Sequence, residues 1–334
     1  MKKLLLLEVR WVCCGIPAVY SGYAHYKNNF SMNINAISVS SYVASTLGSL
    51  CNIHGQIVQV LRGCINWVTH EGELLCISAK STGSFPHGVI IADEAFSSVR
   101  LLAEEPVIVK GQVITLGTKG LAIDTSNAQI CSLTLIRVSG LTWRKTCIDE
   151  AIAELSKSVS TRGAAHLLPL LHRLTDGQPP CTSKGSLLEF HLIKAMQALS
   201  SSIKRQNPIA FLEAAQSLVG AGVGLTPSGD DILLGVIACL RCSANNNDSE
   251  NWFLPAFADL RRKMIGQSTQ VSETFLYHAL SGRFPERLLD LLDALNKSDI
   301  RAIRTSAEAL TFLGKTSGRE MALGLFLAYM SKAC

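Results

Sequence analysis

Gly220-Ala221-Gly222-Val223-Gly224-Leu225-Thr226-Pro227-Ser228-Gly229-Asp230-Asp231 is the stretch on which the reading of the whole chain turns. Three alternating glycines run into Thr-Pro-Ser, and an apolar run from Ile232 to Leu240 follows. Glycine permits positive φ and close backbone approach, and Thr or Ser before Pro marks a helix start. A glycine turn feeding a helix aims N–H groups and the positive dipole end at one point, which suits a phosphate or a carboxylate. The plainer alternative is a turn into a buried helix, with Ser228 and Asp231 as a capping box. No Gly-Lys-Ser/Thr follows, so this is not a Walker loop, and it is not GxGxxG after a strand.

The pattern returns downstream. Ser317-Gly318-Arg319-Glu320-Met321-Ala322-Leu323-Gly324 places Ser, Gly, an acidic residue, Leu and Gly at the offsets of Ser228 to Gly235. Two helices are therefore expected to begin alike. Glycine inside a helix costs roughly 1 kcal/mol against alanine, so Gly235 and Gly324 point to close helix approach, conceivably to each other. The match is too short to establish a duplication.

Around these motifs the apolar period is helical. Helices are expected near 143–158, 186–204, 208–219, 229–242, 252–265, 269–281, 285–296, 299–312 and 318–331. Gly282 sits where a C-cap belongs and Pro285 opens the next helix. Thr175 to Gly185, rich in Pro, Gly and Ser, reads as a long loop, a plain connection or a lid.

Before Trp143 the pattern is short and alternating. Ile57–Leu61, Ile65–Val68, Leu74–Ile77, Val89–Ile91, Val107–Val109, Val113–Thr115 and Leu133–Ile136 read as strands, and Thr69–Glu73 as a hairpin turn. The fold class is therefore α+β. A poorly defined extension (1–32) precedes a small β-rich, barrel- or sandwich-like domain (33–140) and an all-helical domain (141–334) that carries the glycine motif.

Composition fits a globular protein with a large core: 334 residues, 48% apolar and 17% charged. The net charge of +5 is scattered, without a Lys/Arg block, so no nucleic-acid partner is expected. Eleven cysteines, an odd number without a framework, read as reduced thiols in a cytoplasmic protein. Cys239-x-x-Cys242 lacks a second ligand pair, and the histidines show no converging metal spacing, so neither metal nor cofactor is expected. Met1 to Leu7 imitates a signal peptide, but Glu8 and Arg10 interrupt it, and Met32 is an alternative start. No segment is long and uncharged enough to span a membrane.

Gln267 to Glu273 opens another helix and is rich in hydroxyls and amides, which either cap that helix or bond a ligand. Ser81 to Gly88 is a small-residue loop, either a surface turn or a cover over the site. Asp230 and Asp231, adjacent on a first helical turn, point about 100° apart and cannot form the facing carboxylates of a glycosidase or an aspartic protease.

Gly222 to Asp231 resembles the signature of the AllH family, a bacterial family once catalogued as a domain of unknown function and now linked to a subunit of oxamate carbamoyltransferase. The resemblance runs from about His54 to the C-terminus. Ile65 to Leu75 is similar to its N-terminal hairpin, and Ser268 to Phe284 and Leu313 to Gly318 to its later blocks. Val223 departs from it, since members commonly carry Pro there, and so the loop is expected to be less rigid. The resemblance implies phosphate-dependent carbamoyl transfer in allantoin degradation: oxalurate and phosphate giving oxamate and carbamoyl phosphate, or the reverse. It also implies two further protein subunits, and it assigns no residue roles.

Residue chemistry supplies those roles as expectations. Backbone N–H groups from Gly222 through Gly224 to Gly229, with Thr226 and Ser228, bind a phosphate or carboxylate and stabilise negative charge. Asp230 or Asp231 orients the substrate amide, so Ser228, Asp230 and Asp231 are the catalytic candidates. Thr316, Ser317 and Gly318 form a second anion pocket, with Lys315 or Arg319 adding charge, and Ser268 and Thr269 bond substrate. Two other classes stay open: a non-catalytic assembly or metabolite-binding subunit, and an enzyme on another carboxamide or ureido compound.

Overall fold

The computed structural model describes residues 32–49, 52–98, 100–118, 120–138, 140–157, 163–178 and 186–332. The expected N-terminal extension, up to residue 31, lies outside the described residues, as do positions 179–185 of the long loop. The class is α+β, a β-rich front followed by an all-helical back. Two compact units are present. One runs through Val39, Val43–Ala79 and His87–Ile130; the other takes Ser40–Tyr42, Lys80–Pro86 and the chain from Cys131 onward.

In the first unit the strands are β1 (Met32–Asn35), β2 (Ser38–Ser40), β3 (Asn52–Val60), β4 (Cys64–Thr69) and β5 (Leu74–Ala79). They continue with β6 (Gly88–Ile91), β7 (Pro106–Lys110), β8 (Val113–Leu116), β9 (Leu121–Asp124) and β10 (Gln129–Cys131). All ten share one sheet, ordered β1-β9-β8-β7-β3-β4-β5-β6-β2-β10, which curls into a half-barrel. Successive side chains alternate faces, so β7 and β8 turn Val107, Val109, Ile114 and Leu116 inward. The expected β4–β5 hairpin forms, with Trp67 opposite Leu75 and Ile65 opposite Ile77. Its turn closes through Thr69 N–H to Glu73 O at 2.9 Å. Two helices, α1 (Ser41–Ser49) and α2 (Asp93–Ser98), accompany the sheet, and α2 packs on β5, which is buried at every position.

The expected strand at Leu133–Ile136 does not form. Thr134 makes an isolated bridge to Arg283, and Leu135 N–H bonds Gly282 O, so the partner is a helix–helix turn rather than another strand. Four strands that the pattern did not announce, β1, β2, β9 and β10, have only three or four residues each, too few for alternation to register.

The helical unit contains α3 (Lys145–Leu155), α4 (Leu171–Thr175), α5 (Leu187–Lys204), α6 (Pro208–Leu218) and α7 (Ser228–Cys242). After these come α8 (Leu254–Lys263), α9 (Gln270–Leu280), α10 (Glu286–Lys297), α11 (Ile300–Thr311) and α12 (Ser317–Lys332). Nine of the ten lie where the helical period places them; α4, five residues after a Pro-containing 3-10 turn, was not foreseen. Caps fix several starts. Asn207 Oδ1 accepts the Ile209 and Ala210 N–H groups, and Asp299 Oδ1 those of Arg301 and Ala302.

At the centre α7 packs on α12, both buried on nearly every face. Their glycines make this possible. A Cβ on Gly235 would run into the Met321 carbonyl oxygen, and one on Gly324 into the Ile232 carbonyl oxygen. Each glycine therefore opens a seat for the other helix's backbone, as the two echoing motifs suggested.

Candidate functional site

The glycine turn joins the end of α6 to the start of α7. Gly222 has φ +137°, and a Cβ there would lie 2.6 Å from the Ser228 nitrogen, so no larger residue fits without moving the helix start. Val223, Gly224 and Leu225 are exposed at the tip. Thr269 holds that tip: its hydroxyl donates to the Leu225 carbonyl and accepts the Ser272 N–H at 3.1 Å, capping α9. The capping-box alternative for α7 is not realised. Pro227 flanks the helix, and no side chain caps it.

Adjacent positions on the first turn of α7 face different neighbours. Asp230, buried, accepts the Gly220 N–H at 2.9 Å through Oδ1, and the Ser268 and Ser272 hydroxyls through Oδ2, Ser272 at 2.7 Å. Burial pushes its carboxyl above the ordinary value, and these three donors hold it back. Asp230 is thus the brace between the glycine turn and α9. Both of its oxygens accept hydrogen bonds from within the protein.

Asp231 faces α12. It is 2% exposed, and Glu320, which holds the equivalent position on α12, is 0% exposed. Burial, and then the Glu320 charge, push the Asp231 carboxyl well above the usual carboxylate range; hydrogen bonds from Ser317 and Thr226 oppose the rise. The Thr226 and Ser317 hydroxyls are 2.8 Å apart and tie the two turns together. Glu320 Oε1 accepts the Ala164 N–H at 2.7 Å. One oxygen of each carboxyl, Asp231 Oδ2 and Glu320 Oε2, is buried without a partner among the described residues. Such atoms cost about 1–3 kcal/mol each and are rare in folded proteins unless something else meets them.

Other expected site residues sit differently. The Gly229 N–H donates to Ala221 O at 2.8 Å and the Gly318 N–H to Leu313 O at 3.0 Å, so neither is offered to an anion. Arg319 turns away: its Nε donates to the Leu155 carbonyl at 3.0 Å and closes the end of α3. Lys315 is exposed and Thr316 half-buried on the rim, where the Thr316 carbonyl accepts the Glu320 N–H. Ser228 is buried; a Cβ on Gly163 would meet both its Oγ, at 3.4 Å, and Glu320 Oε1. Ser268 and Thr269 serve Asp230 and the loop tip. Ser81 to Phe85 is tied to α10, with Ser84 N–H on Glu286 Oε2 at 2.9 Å.

Glu320 was missed as a site residue, although the echoing motif names it: it is the acidic residue at the offset of Asp231. Ser272 lies in the hydroxyl-rich stretch that the sequence singled out, but nothing there pairs it with Asp230, and the Ala164 N–H gave no signal in the sequence. The Cys239 and Cys242 thiols are buried, and burial raises Cys239 to about 12, so they rest as protonated core thiols. Among the described residues, no group of three or more His, Cys, Asp or Glu could hold a metal ion. No helix among the described residues is long and apolar enough to cross a membrane. A groove of about 500 Å³ opens between α5 and α6, lined by His191, Lys194, Arg205 and Glu213 among small residues, and it shares no residue with this site.

A family model described as oxamate carbamoyltransferase subunit AllH matches residues 218–329, which hold both glycine turns and both central helices. A second, the AllH family N-terminal domain, matches residues 35–130, most of the β-rich half. The chain belongs to the AllH family. No curated protein and no solved structure matched it.

Proposed function

We propose that this AllH family member is a subunit of an oxamate carbamoyltransferase-type enzyme and carries a small-molecule site where α7 and α12 begin. The observation that carries this reading is the pair of turns bonded through Thr226 and Ser317 over two buried carboxyls with open oxygens. Membership of a family named for such a subunit supports carbamoyl transfer as the reaction class. In that reaction phosphate oxygen attacks the carbamoyl carbon of oxalurate. The bond from that carbon to the oxamate nitrogen breaks, and the nitrogen takes up a proton, leaving oxamate and carbamoyl phosphate.

Within it the exposed turn from Gly222 to Leu225 and the Thr226 hydroxyl would take the phosphate, with Lys315 and Thr316 on the facing rim. A helix N-terminus favours an anion by about 0.3–1 kcal/mol when exposed. The carboxyls beneath favour a group that donates hydrogen bonds. Anion on the rim and amide toward the floor is the arrangement that a carbamoyl phosphate needs.

The test is phosphate-dependent release of carbamoyl phosphate from oxalurate, with this chain alone and with its two expected partner subunits. Turnover that needs this chain and falls at least about a hundredfold in Thr226→Val supports the reading. Turnover by the partner subunits without this chain overturns it.

A further inference from the structure

We infer that Asp231 and Glu320 form a divided acceptor that takes the two N–H bonds of a single carbamoyl or carboxamide –NH₂ group, and so set the specificity of the site. The inference rests on the reading above and deepens it by naming the ligand atoms recognised.

The geometry is that of two acidic residues at matching positions of two helices locked backbone to backbone by Gly235 and Gly324. Each carboxyl has an oxygen already engaged: Glu320 Oε1 with the Ala164 N–H, and Asp231 with the hydroxyls of Ser317 and Thr226. Each also has one buried oxygen, Asp231 Oδ2 and Glu320 Oε2, with no partner among the described residues. Two buried acceptors, one on each of two packed helices, ask for two donors. Among the described residues, the groups that act on the Asp231 carboxyl are Glu320, Asp230, Ser317 and Thr226, two carboxyls and two hydroxyls.

An anion is excluded from such a floor by like-charge repulsion. A guanidinium or ammonium asks for a charged Asp231, and burial disfavours that charged form. With Asp231 neutral its proton can lie toward the Ser317 or Thr226 oxygen, leaving Oδ2 as a carbonyl acceptor. A planar, neutral –NH₂ then meets one acceptor oxygen on Asp231 and one on Glu320. Carbamoyl phosphate, oxalurate and oxamate all present this group, whereas oxalate replaces it with oxygen.

The experiment is calorimetric binding of oxamate and of oxalate to the full chain, in wild type, Asp231→Asn and Glu320→Gln, with melting temperature as the control for folding. Wild type is expected to prefer oxamate by at least about a hundredfold, because oxalate leaves both acceptors unmet. In Asp231→Asn the new Nδ2 donor can bond Glu320 Oε2, closing the acceptor internally. The preference should then shrink to within about threefold, while the melting temperature holds or rises. Glu320→Gln should do the same from the other side. Equal binding of oxalate and oxamate by wild type, or no binding of oxamate by the chain alone or with its partner subunits, overturns the inference whatever the variants do. This readout is equilibrium binding, so its failure leaves the turnover test standing, and loss of turnover with the preference intact leaves the pair standing.

Discussion

The Thr226 and Ser317 hydroxyls lie 2.8 Å apart although 91 residues of chain separate them. Each belongs to the turn that starts a central helix, so this one bond registers the two turns against each other above Asp231. Thr226→Val keeps shape and removes the hydroxyl, which also removes a hydrogen-bond partner of the Asp231 carboxyl. The expected cost to stability is about 1 kcal/mol, the ordinary worth of a buried hydrogen bond. Chemical denaturation measures it. A loss several times larger would mean that the turn itself depends on the bond.

Gly235→Ala and Gly324→Ala test the seat beneath the site. Each added Cβ would meet a backbone carbonyl of the partner helix, which cannot rotate aside as a side chain does. Each variant should lose at least about 3 kcal/mol, the upper end for an overpacked core, although alanine is the better helix former. Urea titration with helicity as the probe checks this. Unchanged or increased stability would show that the helices part at no cost.

How much of this was legible in the sequence depends on the range over which a residue acts. The nine long helices showed through their apolar period, and the mutual approach of α7 and α12 through two glycines that helical propensity disfavours. The β4–β5 hairpin was read from alternation and a turn containing Gly72. Leu133–Ile136 misled because its apolar residues have strand propensity while its partner, at Gly282 and Arg283, is a turn. At the site, adjacency on one helical turn correctly separated Asp230 from Asp231. It could not say which carboxylate would be spent, because Ser268 and Ser272 come from another helix.

Arg319 illustrates the same limit. It stands in the echoing motif beside Ser317 and Gly318, and from sequence it adds positive charge to an anion pocket. In the fold it instead closes α3 through the Leu155 carbonyl. Arg319→Ala should therefore cost about 1 kcal/mol of stability and leave oxamate and phosphate binding as in wild type. Calorimetry on the variant decides. A tenfold loss of phosphate affinity with stability unchanged would restore the sequence reading.

Asp230→Ala should behave in the opposite way to a substitution at Asp231. It strands the Gly220 N–H and the Ser272 hydroxyl in a buried place, so stability should fall by about 3 kcal/mol or more. The glycine turn should also become more open to proteolysis, since its brace to α9 is gone. Limited digestion followed by mass mapping reads this directly. Stability near wild type, with an intact turn, would show that Asp230 is not the brace.

The pH dependence of stability follows from Asp231. Its ordinary value is 3.8, and burial beside Glu320 raises it well above that in the folded chain. Below the unfolded value both states hold the proton, and the stability linked to this group is fully present. As pH rises the unfolded chain loses its proton first, so the folded state becomes the one that binds more protons. Stability must then fall until pH passes the raised folded value. Asp230, raised by burial, adds a contribution of the same sign, while Ser317 and Thr226 temper the effect at Asp231. Asp231→Asn cannot ionise, so its advantage over wild type should be smallest at about pH 4 and grow toward neutrality. Subtracting the two urea midpoints at each pH cancels the titrating groups that do not interact with Asp231. A gap that stays constant, or that closes as pH rises, would show that Asp231 keeps its charge in the fold.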